Sequence, residues 1–472
     1  MSDILHQSFE WVILNFPQLE ARSNKMWTWP LFSRDCPPAL HATALGMEVC
    51  GKPEIKRVEK NNAKAELCRV TGNAYLGAGK LAEAINVYNQ GICSAEPGSE
   101  LMAFCYANRA LVYMRFGMLK SSLESMRLAR AAGYPQHLIH KLEERELSIA
   151  EQIRKKETKC PTSMESFAQL SFPTNATYPA LAECLEIRQN ENFGRHIATT
   201  GDLQVGQIIA IEEPYCAIFL REENYIRCAN CLSDDAAINL IPCKNCTAAM
   251  FCDQKCYDEA QATFHGIECG IIDFIQTFGS SALAIRSTIK AIQSFDSLDE
   301  LMAAFKTAVE DVNDLNCPQN TDCGRFQLNC KHQTNERERN MMEKLKWVMK
   351  ASPIRVALLD QTPLGDLFVT LEQREFLLEL IFRQLLICET RNSLPVEAIF
   401  NITNFLNHSC APNVWLDYKY NRIVGVVMRP IQKGDQLFIA HGWVFLQIFE
   451  LSFDSMNFPP PVIGYTGEYR GH

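Results

Sequence analysis

The chain has 472 residues, more than the roughly 250–300 over which a single hydrophobic core keeps growing, so two or more domains are expected. With 47% hydrophobic and 21% charged residues it is composed like a folded protein rather than a disordered one. A formal net charge of -9 argues against sequence-independent DNA binding, whose affinity comes from Lys and Arg neutralising phosphates, and favours a protein partner.

The first 17 residues carry acids and a tryptophan where an export signal would place basic residues and then an apolar run. Neither export nor membrane insertion is expected, and the expected location is cytoplasmic and nuclear. Residues 56–155 read as amphipathic helices separated by short turns at 77–80, 97–99, 117 and 133–135. Gly72, Tyr75, Ala84 and Tyr88 fall at the small and aromatic positions of a 34-residue helix-turn-helix unit over residues 65–98, and Ala110, Tyr113 and Ser122 mark a second copy. This pattern resembles tetratricopeptide repeats. Arg69 and Asn73 lie four apart on one helix, Asn108 sits equivalently in the next unit, and Lys141 and Arg145 lie four apart beyond the last turn, so all five can face one groove. The set resembles a carboxylate clamp, which implies capture of an acidic chaperone C-terminal tail through charge-assisted hydrogen bonds. The competing reading is ordinary solvated charge on helix surfaces.

Polar and basic residues 154–175 connect this array to β-branched segments at 208–211 and 216–219, where a β-domain begins. Twenty cysteines in a long chain without an export signal suggest metal ligands rather than disulfides. They cluster as Cys228-x2-Cys231-x11-Cys243-x2-Cys246-x5-Cys252-x3-Cys256-x8-His265-x3-Cys269. Zinc takes four tetrahedral N or S donors, so two complete shells account for all eight residues. Buried free thiols are the alternative, but polar turns such as Pro242-Cys243-Lys244-Asn245-Cys246 fit it poorly. The spacing resembles a MYND zinc finger. That family interleaves its sites, which implies Cys228, Cys231, Cys252 and Cys256 on one ion and Cys243, Cys246, His265 and Cys269 on the other. Both ions would be structural, since no ligand position is left for water. The resemblance also implies a grip on proline-containing peptides of a co-repressor or histone deacetylase.

Residues 271–310 and 337–390 return to helical periodicity around a polar, cysteine-containing loop at 313–336, and residues 414–439 return to strands. Asn404-Phe405-Leu406-Asn407-His408-Ser409-Cys410-Ala411-Pro412-Asn413-Val414, followed by Lys433-Gly434-Asp435-Gln436-Leu437-Phe438-Ile439, resembles the C-terminal half of a SET domain. The matching N-terminal half is Asn192-Phe193-Gly194-Arg195-His196-Ile197 with Leu203-Gln204-Val205-Gly206-Gln207-Ile208-Ile209. A SET domain split by a zinc finger marks the SET-and-MYND family of protein lysine methyltransferases, here of the type with a leading helical array. The resemblance implies S-adenosyl-L-methionine as cofactor, with Gly194 letting the backbone approach it. Phe193 and Arg195 would flank that turn, and Asn407 and His408 would hold the cofactor's two ends. Asn392 is a further cofactor-facing candidate.

The family closes its second half with Tyr-Gly and then supplies three more cysteines for a third zinc. Here Ile439-Ala440-His441-Gly442 puts His441 at the tyrosine's catalytic position, and residues 443–472 contain no cysteine. Cys317, Cys323, Cys330 and His332 are the candidate replacement donors, although their spacing matches no standard knuckle. The expected fold is thus α+β and multi-domain: residues 1–155 helical repeats, 156–180 connector, 181–226 first SET half, 227–270 zinc finger, 271–375 helical insert, 376–442 second SET half and 443–472 atypical tail. The expected function is methylation of histone or non-histone lysines, with repeats and finger recruiting partners in transcriptional regulation. The alternative is an adaptor of little or no activity linking chaperone and co-repressor.

Overall fold

A computed structural model describes residues 53, 55–155, 169–233, 235, 238–332, 334, 341–389, 397–419 and 421–440. The helical array begins where Asn61 caps α1 (Asn62–Gly77), its side chain accepting from the Ala63 and Lys64 amides. α2 (Leu81–Ser94), α3 (Glu100–Phe116), α4 (Leu119–Ala131) and α5 (Ile139–Lys155) follow, with Ser99 capping α3 and left-handed Gly117 ending it. At Gly72 a Cβ would stand 2.5 Å from the Tyr88 ring, so the small and aromatic positions of the repeat are one contact: glycine on α1 admits tyrosine from α2. Among the described residues, no helix is long and apolar enough to cross a membrane.

The β-domain holds a hairpin of β1 (Leu185–Asn190) and β2 (Gly194–Thr199), then β3 (Ile208–Glu212) and β4 (Cys216–Ile218). The zinc-finger region has β5 (Ile241–Pro242), β6 (Met250–Phe251), α6 (Gln254–Ala262) and α7 (His265–Glu268). The insert is helical: α8 (Ile272–Ile275), α9 (Ala282–Gln293), α10 (Leu298–Glu310), α11 (Asp322–Cys330), α12 (Met341–Gln361), α13 (Leu364–Leu367) and α14 (Leu371–Glu389). The loop expected at 313–336 therefore contains a helix. Thr321 caps it by accepting from the Gly324 amide, and Phe326, Leu328 and Cys330 bury its apolar side, a pattern too short to outweigh the polar residues around it in sequence. α14 runs unbroken through the expected boundary at 375.

The chain then returns to the first half. β7 (Glu397–Ile399) pairs with β4, β8 (Asn407–His408) lies beside β11 (Phe438–Ile439) in parallel, and β9 (Val414–Lys419) and β10 (Arg422–Val427) complete a three-stranded sheet in the order β3-β10-β9. Leu185, Ile197, Ile209, Phe405, Leu406, Val427 and Leu437 share one apolar core, so both SET halves bury the same surface.

Array and finger are joined through a buried cation. Arg109 of α3 is 0% exposed. Its guanidinium donates to Asn89 Oδ1 at 2.7 Å, Ser125 Oγ at 3.0 Å, Leu240 O at 2.8 Å and Asn239 Oδ1 at 3.1 Å, and lies 4.9 Å from the Tyr106 ring centroid. Tyr113 Oη donates to Ile238 O at 2.8 Å beside it. On the far side, buried Glu268 of α7 pairs with Arg286 of α9, which stacks 3.6 Å over the Phe264 ring. Arg109→Met takes the arginine donors from four acceptors, of which Asn239 Oδ1 keeps a bond from Ser125 Oγ, and should cost about 3–5 kcal/mol in chemical denaturation, whereas Arg127→Met, breaking an exposed pair with Glu124, should cost within about 0.5 kcal/mol.

Candidate functional site

The site is built where the two halves meet. Asn190 Oδ1 accepts from the Phe193 amide at 2.8 Å and tightens the β1–β2 turn. Gly194 then sits at φ +59, a left-handed angle that costs other residues strain, and a Cβ there would meet nothing within 4 Å. The backbone is thus open on one side. Phe193 beside it is 53% exposed, an apolar ring held at the surface.

From the second half, Asn407 Nδ2 donates to Phe193 O at 3.0 Å, which brings the two motifs into direct contact across 214 positions. The β8–β11 pairing holds it, as Phe438 lies opposite Asn407 and Ile439 opposite His408. Asn413 secures that pairing by accepting from Phe438 N at 2.7 Å and donating to Gln436 O at 2.9 Å. It lies inside the quoted motif, yet sequence reading attached no role to it. His408 is exposed at this site, with Cys410 Sγ 3.4 Å from its Nε2.

Arg195 points elsewhere. It donates to Lys331 O at 2.8 Å and Val312 O at 3.3 Å and stacks 5.1 Å from the Phe405 ring centroid, so it ties the helical insert to the site, and burial lowers its pKa. Asn392 and His441 lie outside the described residues. Phe193, Gly194, Asn407 and His408 converge, and their mix of open backbone, apolar ring and polar tips fits a ligand with an amino-acid end and an aromatic base.

The eight finger residues form two quartets, Cys228, Cys231, Cys252 and Cys256 in one and Cys243, Cys246, His265 and Cys269 in the other, with ligand atoms all within 4.8 Å of one another. The partition is the interleaved one. Cys243 and Cys246 are fully buried or nearly so, and His265 directs Nε2 to Cys243 Sγ at 3.2 Å. Hydrogen bonds from Cys228 and Cys252 hold the Cys231 thiol far below its ordinary range, and those from Cys246 and Cys269 do the same for Cys243. Thiols this close share their protons unevenly, Cys231 and Cys243 being shifted down while Cys228, Cys252 and Cys246 are shifted up, and zinc binds the thiolate form.

Cys317, Cys323, Cys330 and His332 do not gather. Cys323 Sγ donates to Ser294 O at 2.7 Å, while Cys317 and Cys330 are buried in different apolar clusters. In the array, Arg69 is paired with Glu66 at 2.7 Å, Asn73 Oδ1 accepts from Asn108 Nδ2 at 2.9 Å and from Tyr88 Oη at 2.8 Å, and Arg145 donates to Ala107 O at 3.0 Å. Lys141 is exposed. Four of the five clamp candidates already have partners within the array.

Plasma emission should find two zinc ions per chain, falling to one in Cys231→Ser and in Cys243→Ser. Zinc should be released on acidification, because protons compete for the thiolates and affinity falls as pH falls. A third ion would overturn the reading of the insert cysteines.

A SET domain family model matches residues 194–442, a little over half of the chain. Protein-lysine N-methyltransferase SMYD4 of Danio rerio is 27% identical over 256 residues, 50% of this chain and 33% of that protein. The Mus musculus protein of the same name is 21% identical over 311 residues, 52% of this chain and 38% of its own length. A SET and MYND domain-containing protein of Dictyostelium discoideum is 30% identical over 98 residues, 21% of this chain and 8% of its own. The matched stretch thus spans little more than a third of the SMYD4 proteins. With one family model running through both halves and the two-quartet finger lying between them, the chain belongs to the SET domain family, on its SET-and-MYND branch.

Proposed function

We propose that the protein is an S-adenosylmethionine-dependent protein-lysine N-methyltransferase acting on histone or non-histone proteins. The observation that carries this reading is the 3.0 Å hydrogen bond from Asn407 to the Phe193 carbonyl, which closes the two half-motifs around the open backbone of Gly194. The names of the SMYD4 proteins support it. The cofactor supplies an electrophilic methyl group. Phe193, Gly194, Asn407 and His408 bind and orient it, and methyl transfer between aligned centres needs little beyond positioning and a neutral amine. His441, in sequence at the family tyrosine's position, can accept the lysine proton near neutral pH. The finger would recruit a co-repressor or histone deacetylase and the array an acidic chaperone tail, in cytoplasm and nucleus.

Calorimetric titration with S-adenosylmethionine tests the site, followed by tritium transfer to histones and cell extract. Micromolar binding and transfer are expected, and Gly194→Ala should weaken binding about tenfold, because the turn can relieve the roughly 1–2 kcal/mol of a left-handed angle only by leaving the geometry that receives the cofactor, and a methyl group would occupy the open side. His441 in the tyrosine's place favours a second reading, an adaptor linking chaperone and co-repressor; binding without transfer selects it, and no binding refutes the site. An acidic chaperone C-terminal peptide should bind with micromolar affinity, and equal binding by an Asn73→Ala, Asn108→Ala double variant rules the clamp out.

A further inference from the structure

Strand β3 ends on a carboxylate for which the proposed function gives no role. Glu212 is 5% exposed, and no ion pair holds it among the described residues. Its oxygens are instead taken up by a single turn of chain. Oε1 accepts from the Ile402 amide at 2.8 Å, and Oε2 accepts from the Thr403 amide at 2.7 Å and the Thr403 hydroxyl at 2.8 Å. A buried carboxylate is costly unless hydrogen-bonded, so three donors converging from two consecutive residues form a fitted seat.

The turn so held leads directly into the site. Ile402 O accepts from Phe405 N and Thr403 O from Leu406 N, both at 3.0 Å, so both peptides are bound on each side. Phe405 then lies under Arg195, 5.1 Å from ring centroid to guanidinium, and two residues later Asn407 reaches the Phe193 carbonyl at 3.0 Å. Asn401, one residue before the seat, donates to Arg325 O at 2.7 Å, so the approach to the turn is fixed as well. β3 also pairs through Glu212 with Ile423 of β10, so the carboxylate is mounted on the sheet that joins the halves.

We propose that Glu212 is a positioning residue for the cofactor site, its carboxylate setting the angle at which the 402–406 turn delivers Asn407 to Phe193. This rests on the methyltransferase reading. Both oxygens are required: glutamine keeps one acceptor but turns an NH2 toward the donors of either Ile402 or Thr403, so one end of the turn is released.

The test is titration of S-adenosylmethionine into the full chain and into Glu212→Gln, Asn407→Ala and the double variant, well below their melting temperatures, with zinc content and circular dichroism as controls. Glu212→Gln should weaken binding about tenfold at unchanged zinc content, in line with the loss of charge-assisted hydrogen bonds. In the Asn407→Ala background the same change should cost less than about threefold, because residues acting through one contact are not additive. A purely structural role would lower the melting temperature and leave the affinity of the folded protein unchanged, or would multiply with Asn407→Ala. Either result overturns the inference while leaving the cofactor site standing; an unmutated chain that binds no cofactor overturns both. Should Glu212→Gln not fold, Thr403→Val removes one donor alone and is expected to weaken binding about threefold, with the loss vanishing in the Asn407→Ala background. Equal binding by Thr403→Val then decides against the inference.

Discussion

The structure depends on the closure of one small β-domain from two pieces of chain far apart in sequence. Ile423 to Val426 pair with Glu212 to Ile208, Leu203 exchanges backbone bonds with Ile431, and Thr199 donates to Asp435 O. The finger and the helical insert, which lie between β4 and β7, are an excursion that leaves this domain and returns to it. Loop-closure entropy rises only with the logarithm of length, about 0.6 kcal/mol per doubling, so a large insertion is tolerable provided that it folds on its own terms. The finger and helical insert meet that condition differently. The first carries the two Cys/His quartets and shares an apolar core with the array; the second buries an extensive core around α9, α12 and α14.

The finger is held on both flanks. Toward the array, Arg109 places a cation among neutral acceptors and aromatic faces; toward the insert, Glu268 adjoins the ligand Cys269 and pairs with Arg286. A buried, hydrogen-bonded charge is weak evidence for added stability, but any other docking angle would leave it unpaired. The same economy appears at the site, where Arg195 and Glu212 both serve backbone groups of neighbouring segments.

Much of this was legible beforehand. Cysteine and histidine spacing reports metal ligation, since ligand geometry constrains how far apart donors can lie, and the motifs around Gly194 and Asn407 have local sequence patterns. The packing of the first two helices of the array was legible through Gly72 and Tyr88, whose contact demands one small and one large residue at fixed separation. Asn73, Asn108, Arg69 and Arg145 share a region as their periodicity suggested, but spacing carried no sign of their engagement with one another and with Glu66 and Ala107. Cys317, Cys323 and Cys330 look like a donor set only in one dimension, because Cys317 lies outside the helix that carries the other two and is buried in a different core from Cys330.

Sequence alone therefore determined what depends on local spacing: the helix-turn-helix units, the eight ligands and their identity as a finger, and the split motif of the SET halves. Tertiary structure decided what depends on partners distant along the chain: Arg109 as the joint between array and finger, Arg195 as a tie to the insert, and Glu212 as the seat of the Asn407 turn. The reason is physical. A lone arginine or glutamate has the same composition whether it faces water or a buried carbonyl, and only closure of the domain over some two hundred residues determines which of these it meets.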